Sequence, residues 1–474
     1  MRKLSAFPRL AVSCAMVASL AMAGPALPQD KPASPAFALG DRSQPADIRA
    51  DRLEVQDNNG LAIFDGNVKV VQGRTSLETV KLTVSYAGNQ NGNQQGQGGS
   101  KNGANALAGN IRTITAEGDV LMNTGNQSVS AAKALVDIEQ SVATLSGAVR
   151  LSQGESSFET EVMEIEFGGD ADGPGDGIER VTAPGKVKLT SPRQTATADS
   201  AVVEMAKQIA NLDGNVMVSD GNGVLNARKL TIEYERGDSA EALPGDNVKR
   251  ISASGRVTMK SGSQTANADT LEVRMADQLA ILNGNVVVVD GQSTISTNSL
   301  NIEFLPGNLN GTQGAGGVRR VIAPGRVVLR SKDQTATANS ASVDVAGQTA
   351  VLSGNVRVEQ GTSVLTTARL NISFMRGGGS ARGLAGGIRQ IDAPGKVRLT
   401  SADQVVTADK AVVRMQENHA ILSGNVVLSQ GKNVVKGCEL DFNLATNFAK
   451  MKSCPDTGSG RVKMLFTPKS AGQQ

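Results

Sequence analysis

A Gly-x-Val element recurs along this chain, and its spacing limits the fold more than any other feature. Glycines 66, 118, 147, 185, 214, 255, 284, 325, 354, 395 and 424 carry it. Gly214, Gly284, Gly354 and Gly424 follow one another at 70 residues, and Gly255, Gly325 and Gly395 form a second set with the same period. A fixed period of this size marks a repeat array, in which each unit buries its apolar face against its neighbours.

Two strand texts alternate within the period. One reads Ala210-x-Leu212-x-Gly214-x-Val216-x-Val218, and returns at Ala350, Leu352, Gly354, Val356 and Val358 and at Ala420, Leu422, Gly424, Val426 and Leu428. The other reads Ile251-x-Ala253-x-Gly255-x-Val257-x-Met259, and returns at Ile391, Ala393, Gly395, Val397 and Leu399. Residues between these positions are mostly polar, and a period of two predicts strands with one apolar face. Parity is kept across each glycine, which predicts one strand that bends there rather than two strands joined by a turn. Where one text has Ala then Leu, the other has Ile then Ala, so stacked rungs set large against small and fill a thin interior. Aromatics are only 3% of the chain, with no Trp, which suits such an interior.

An aromatic follows the first-text glycine by 20 residues: Tyr86, Phe167, Tyr234, Phe304 and Phe374, with Leu444 in the last unit. These positions predict an axial aromatic ladder, either stacked as core at a corner or in direct contact with a ligand. Polar, Gly-rich loops follow them at 88–109, 168–177, 236–247, 305–317 and 375–387. The first is a low-complexity insert expected to be disordered. Asp170-x-Asp172-Gly-x-Gly-Asp176 is faintly calcium-loop-like, but its counterparts lack the acids.

Residues 1–23 read as a cleaved secretory signal. Arg2, Lys3 and Arg9 precede an apolar run too short to span a bilayer, and Ala21-Met22-Ala23 suits cleavage. The alternatives are a retained anchor or a lipid attached at Cys14, although Ala11-Val12-Ser13 is a poor lipobox. Residues 24–43 read as a linker, 44–468 as the array of about six units, and 469–474 as a tail. Without the signal, the 48 basic residues fall to the level of the 45 acidic ones, so nothing supports nucleic-acid binding through phosphates. One histidine, His419, leaves no basis for a His-ligated metal site or His-based catalysis, and no cofactor is expected. Two cysteines remain in the exported chain, Cys438 and Cys454, and are expected to form a disulfide.

Gln44–Val55, then Ala62-Ile-Phe-Asp-Gly-Asn-Val68 and Val71-Gln-Gly73, resemble the opening of the LptA/OstA family. Leu422-Ser-Gly-Asn-Val426, Leu428-Ser-Gln-Gly431 and Gly460-Arg-Val462 resemble its close, and the repeats between resemble its inner units. The chain departs from the family in length, as if extra 70-residue units stood in its middle. The resemblance implies an all-β fold: an elongated twisted β-jellyroll, or open β-solenoid, of two opposed antiparallel sheets. It implies a periplasmic protein that is not an enzyme and that binds the lipid A acyl chains of lipopolysaccharide. It also implies end-to-end strand pairing with inner-membrane LptC-like and outer-membrane LptD-like proteins, or with further copies of the chain. The candidate pairing edges are Ile48–Val55 and Arg461–Phe466.

If acyl chains lie between the sheets, they touch the apolar parity. Candidate contacts are Phe64, Val68, Leu145, Leu212, Val216, Leu282, Val286, Leu352, Val356, Leu422 and Val426. The competing reading is a structural or adhesive exported solenoid whose apolar face is simply core. A third, a polysaccharide-acting β-helix enzyme, would need clustered carboxylates, whereas the acids here are scattered over the polar face.

Overall fold

The computed structural model describes residues 46–87, 111–124, 127–170, 173–192, 194–221, 223–235, 248–305, 318–375, 388–402, 404–446, 448–454 and 461–465. The signal sequence, the linker, the insert and the other polar loops named above fall wholly or largely outside them. Two compact units divide the described residues, one within 23–221 and 225–253, the other within 222–224 and 254–474. Both are β: 32 strands and one short 3-10 turn, Asp57–Asn59, make up the described secondary structure.

The strand Leu279–Asp290 shows the rule. Ala280, Leu282, Val286 and Val288 are buried, while Asn283 and Asn285 are exposed. Gly284 and Asn285 both take positive φ, +75° and 48°, and the register with Ser293–Phe304 shifts between Asn283 and Val286. Two successive left-handed residues form a bulge that bends the strand without flipping its faces, as parity required. Gly and Asn are the residues that adopt this conformation at least cost. Gly66-Asn67, Gly214-Asn215, Gly354-Asn355 and Gly424-Asn425 repeat the geometry.

Each bend is held by the strand before it. Asn285 donates from Nδ2 to Asp269 Oδ2 at 2.9 Å; Asn67, Asn215 and Asn425 donate likewise to Asp51, Asp199 and Asp409 at 2.7 Å. The Asp199 and Asp409 amides in turn donate to the carbonyls of Gly214 and Gly424, at 2.8 and 2.9 Å. The carboxylate stands where a glycine Cβ would be, so it also excludes a side chain there. At Gly147 both partners are replaced together: Ala148 follows the glycine and Ala132 lies opposite it.

At Pro184-Gly185, Pro324-Gly325 and Pro394-Gly395 the expected bent strand is instead interrupted. Val318–Ala323 ends before Pro324, and Val327–Ser331 begins after Arg326. Proline has no N–H for the ladder and restricts the residue before it. The Gly255 counterpart has Ser254 in place of proline, and Val248–Ser261 runs through unbroken.

In the second unit, Val318–Ala323 pairs with the C-terminal half of Ser293–Phe304 and Val327–Ser331 with its N-terminal half. Ser340–Asp344 and Gln334–Ala338 extend the two halves to Thr349–Gln360. Four such passes make up 70 residues. The first unit repeats the scheme from Leu61–Gln72 to Ile209–Ser219. The two expected sheets are therefore not separate. They are the two halves of strands that cross a common corner, and hydrogen bonding runs through that corner.

Outward positions carry cross-strand ion pairs such as Lys69–Glu78 (2.7 Å), Lys133–Glu117 (2.8 Å) and Arg319–Glu303 (2.6 Å). Exposed pairs of this kind contribute little stability each, and their main effect is to keep that face wet.

The clamp should be measurable. Asp269→Ala should cost about 0.5–1.5 kcal/mol for the lost hydrogen bond. Asn285→Ala should cost more, because alanine also pays about 1–2 kcal/mol for the left-handed backbone. The double variant should fall short of the sum, since both changes remove one shared bond. Urea unfolding of the four proteins checks this, and strict additivity would mean that the bond contributes nothing.

Candidate lipid-binding interior

All eleven candidate contacts lie on the inward, buried face. In the first unit Phe64 is 6% exposed and Val68, Leu145, Leu212 and Val216 are at most 4%. In the second, Leu282, Val286, Leu352, Val356 and Val426 are at most 2% and Leu422 is 8%. Phe64, Val68 and Leu145 share one apolar cluster of the first unit, and Leu422 and Val426 share one of the second. Asn285 and Arg357, of opposite parity, are exposed.

The described inward side chains pack against one another with almost no exposed surface. A void of only about 10 Å³ sits among Leu77, Ala116, Met122, Ala134 and Leu145 in the first unit. The expected stacking of the Ala-Leu text on the Ile-Ala text is not what closes it: Leu279–Asp290 lies between Gln264–Arg274 and Ser293–Phe304, with Ala280 in register with Val273 and Ile302 but Leu282 with Leu271 and Leu300. An acyl chain could enter such a unit only by displacing side-chain contacts, which means the two strand halves must part.

The aromatic positions are core, at the turn end of the strands. Tyr86, Tyr234, Phe304 and Phe374 are 3–7% exposed; Phe167 and Leu444 are half-buried. Each donates its backbone N–H to the left-handed or glycine residue of the preceding turn: Phe304 to Gln278, Phe374 to Gln348 and Tyr234 to Gln208, all at 2.9 Å. At the opposite strand end, glutamines 153, 194 and 334 are buried, and Gln127 donates to Gln153 Oε1 at 3.1 Å. Sequence reasoning missed this amide row and the Asp–Asn clamp. The clamp had a signal, an Asp or Asn placed 15 residues before the glycine at 51, 199, 269, 339 and 409.

The terminal strands have one registered neighbour each among the described residues. Asp47–Arg49 and Arg52–Gln56 pair with Leu61–Gln72, and Lys463–Leu465 and Phe448–Lys452 pair with Asn433–Asn443. The C-terminal edge is thus two short strands, not one. Leu53, Phe448, Met464 and Leu465 are 52–66% exposed there. Cys438 and Cys454 are disulfide-bonded with Cα atoms 5.0 Å apart, tying Phe448–Lys452 to its neighbour. Lys452 reinforces the tie at 2.6 Å from Glu439, and that hydrogen bond raises the lysine pKa. Among the described residues no cluster of His, Cys, Asp or Glu could hold a metal, and no helix is long and apolar enough to cross a membrane.

A family model described as LptA/(LptD N-terminal domain) LPS transport protein matches residues 47–168, 128–238, 195–307, 265–352 and 335–448. The chain belongs to this family. The last three matches begin 70 residues apart, so the model steps along the chain with the period of its glycines. An uncharacterized protein of Rhizobium meliloti (strain 1021) is 35% identical over 122 residues, 26% of this chain and 63% of that protein. The chain is also similar to LptH, the LptA homologous periplasmic component of the lipopolysaccharide transport device of Pseudomonas aeruginosa. That likeness has 20% identity and a TM-score of 0.21, over 27% of this chain and 78% of LptH. Membership of the LptA/LptD N-terminal family gives the chain a role related to lipopolysaccharide transport.

The Cys438–Cys454 bridge joins residues 16 apart, and closing a loop of that length should stabilise the C-terminal edge by about 3 kcal/mol in the chain-entropy model. Thiol labelling of denatured, unreduced mature protein should find no free cysteine, and two labels per chain would refute the bridge.

Proposed function

We propose that the chain is a periplasmic, non-enzymatic protein that binds lipopolysaccharide through its acyl chains. It forms part of a bridge carrying the lipid from the inner to the outer membrane. The observation that carries this reading is the inward apolar parity of both units, interrupted by buried Thr, Ser and Gln but by no buried charge among the described residues. Acyl burial contributes about 0.8 kcal/mol per CH₂, enough for binding without a charged recognition site once the strand halves part. The terminal strands support end-to-end pairing with LptC-like and LptD-like proteins or with another copy, because their outer N–H and C=O groups face no registered strand.

The close packing of the interior favours a second reading, a structural or adhesive exported solenoid whose apolar face is permanent core. A photo-crosslinking residue separates the two. At Val286 or Val356 it should capture lipopolysaccharide in cells, and at Asn285 or Arg357 it should not. Capture at both parities alike, or at no inward site of a folded protein, leaves the solenoid reading.

Strand pairing has its own check. The purified chain should sediment as larger species as concentration rises, and proline at both Met464 and Leu465, which removes two N–H donors, should hold it monomeric. A wild-type chain that stays monomeric at high concentration and pairs with no membrane partner would exclude the end-to-end bridge.

A further inference from the structure

The two units differ in charge. Residues 254–474 hold 24 Lys and Arg against 15 Asp and Glu, whereas residues 24–253 hold 21 against 30. The even balance over 24–474 therefore hides a first unit at −9 and a second at +9. Charge of one sign, gathered into one part of a chain, marks a surface suited to meet the other sign.

Part of the excess is ordered on one sheet face. In the second unit an outward row runs in register from Ser296 to Lys463. Its charged members are Arg357, Arg398, Lys436 and Lys463, with Thr or Val at the positions between. The row beside it, from Thr294 to Leu465, adds Arg330 and one acid, Glu359. Glu359 pairs with Arg357 at 2.5 Å. Arg330, Arg398, Lys436 and Lys463 are exposed and have no ion-pair partner among the described residues. In the matching row of the first unit the charges cancel: Lys69 pairs with Glu78 at 2.7 Å and Arg150 with Glu159 at 3.2 Å.

Neighbouring strands lie about 4.8 Å apart, so the row from Arg357 to Lys463 spans roughly 30 Å. No small anion meets cations spread that far, while an extended anionic surface meets them together. The margin of the face narrows the choice. Lys463 is followed by Met464 and Leu465, each 65% exposed. Cations beside exposed aliphatics are the composition of segments that rest in a lipid interface. A polynucleotide would gain nothing from the aliphatics, and neither row offers an aromatic on which a base could stack.

We propose that this face of the second unit docks on an anionic phospholipid bilayer. Arg330, Arg398, Lys436 and Lys463 lie against the phosphates, and Met464 and Leu465 enter the interface. The inference rests on the bridge reading for its setting, since a carrier between two membranes works at a membrane surface. It concerns the membrane and not the transported lipid.

Vesicle flotation tests it. The mature chain should float with phosphatidylcholine vesicles that contain phosphatidylglycerol, and not with phosphatidylcholine alone. Salt should release it, because exposed charges are screened. Arg330→Gln/Arg398→Gln/Lys436→Gln should bind at least about tenfold more weakly, as the loss of three surface cations implies. Lys69→Gln/Arg150→Gln/Lys188→Gln lowers the net charge equally but on the first unit, and should bind as the wild type does. The replaced side chains are all exposed, so both variants keep the fold. No binding to the anionic vesicles, equal binding to the neutral ones, or equal loss in both variants overturns the docking face. A salt-sensitive self-association that the first variant loses, while its vesicle binding stays intact, assigns the face to the acidic unit of a second copy and overturns the membrane as partner. The vesicles contain no lipopolysaccharide, so the two readings fail separately. Vesicle binding by a chain that captures no lipopolysaccharide keeps the face and rejects the conduit, and capture without vesicle binding does the reverse.

Discussion

A pair of left-handed residues in the middle of a strand is the constraint on which this architecture depends. Gly284-Asn285 and its counterparts turn one strand into a member of two ladders, and every inward residue takes its direction from that corner. The geometry is unfavourable for most side chains, so it needs both a glycine and a neighbour that tolerates positive φ. The preceding strand then supplies an aspartate that bonds the asparagine and occupies the space beside the glycine. Interrupting the strand at Pro324 or Pro394 reaches the same cross-section by another route, dividing the strand where the corner would be.

The interior that results has two properties in tension. Its side chains are mostly aliphatic and fit closely, which holds each unit together with few aromatics. A carrier of acyl chains must nevertheless admit hydrocarbon. The Ala-Leu layers could exchange side-chain contacts for acyl contacts at small net cost, since both are hydrocarbon against hydrocarbon. The expense lies in separating the strand halves, and the corner is where such a motion would hinge. The strand ends are different in kind: buried aromatics such as Phe304 and Phe374 stand at one, and buried glutamines such as Gln153 and Gln334 at the other.

The strands, their inward parity and the continuity of chain through Gly284 were legible because a period of two is a direct image of the pleat. The aliphatic candidates, from Phe64 to Val426, were legible for the same reason. Interruption at Pro324 was readable in principle, but the shared Gly-x-Val text masked it, and the glycine drew the reading away from the proline before it. The Asp269–Asn285 bond joins residues 16 apart that meet only when two strands are in register. Whether the two strand halves form one hydrogen-bonded system or two sheets depends on the backbone at the corner, which side-chain periodicity does not report.

The registers described here are all between segments near one another along the chain. The longest, Thr75 with Thr124, spans 49 residues, and it crosses the Gly-rich insert. Pairing of this kind closes short loops first and asks for no late, distant docking. A chain delivered end-first through a membrane could therefore zip as it emerges, each new strand finding its template already in place. The template is the edge laid down just before, so growth by one more 70-residue unit would alter neither the order nor the rules of assembly.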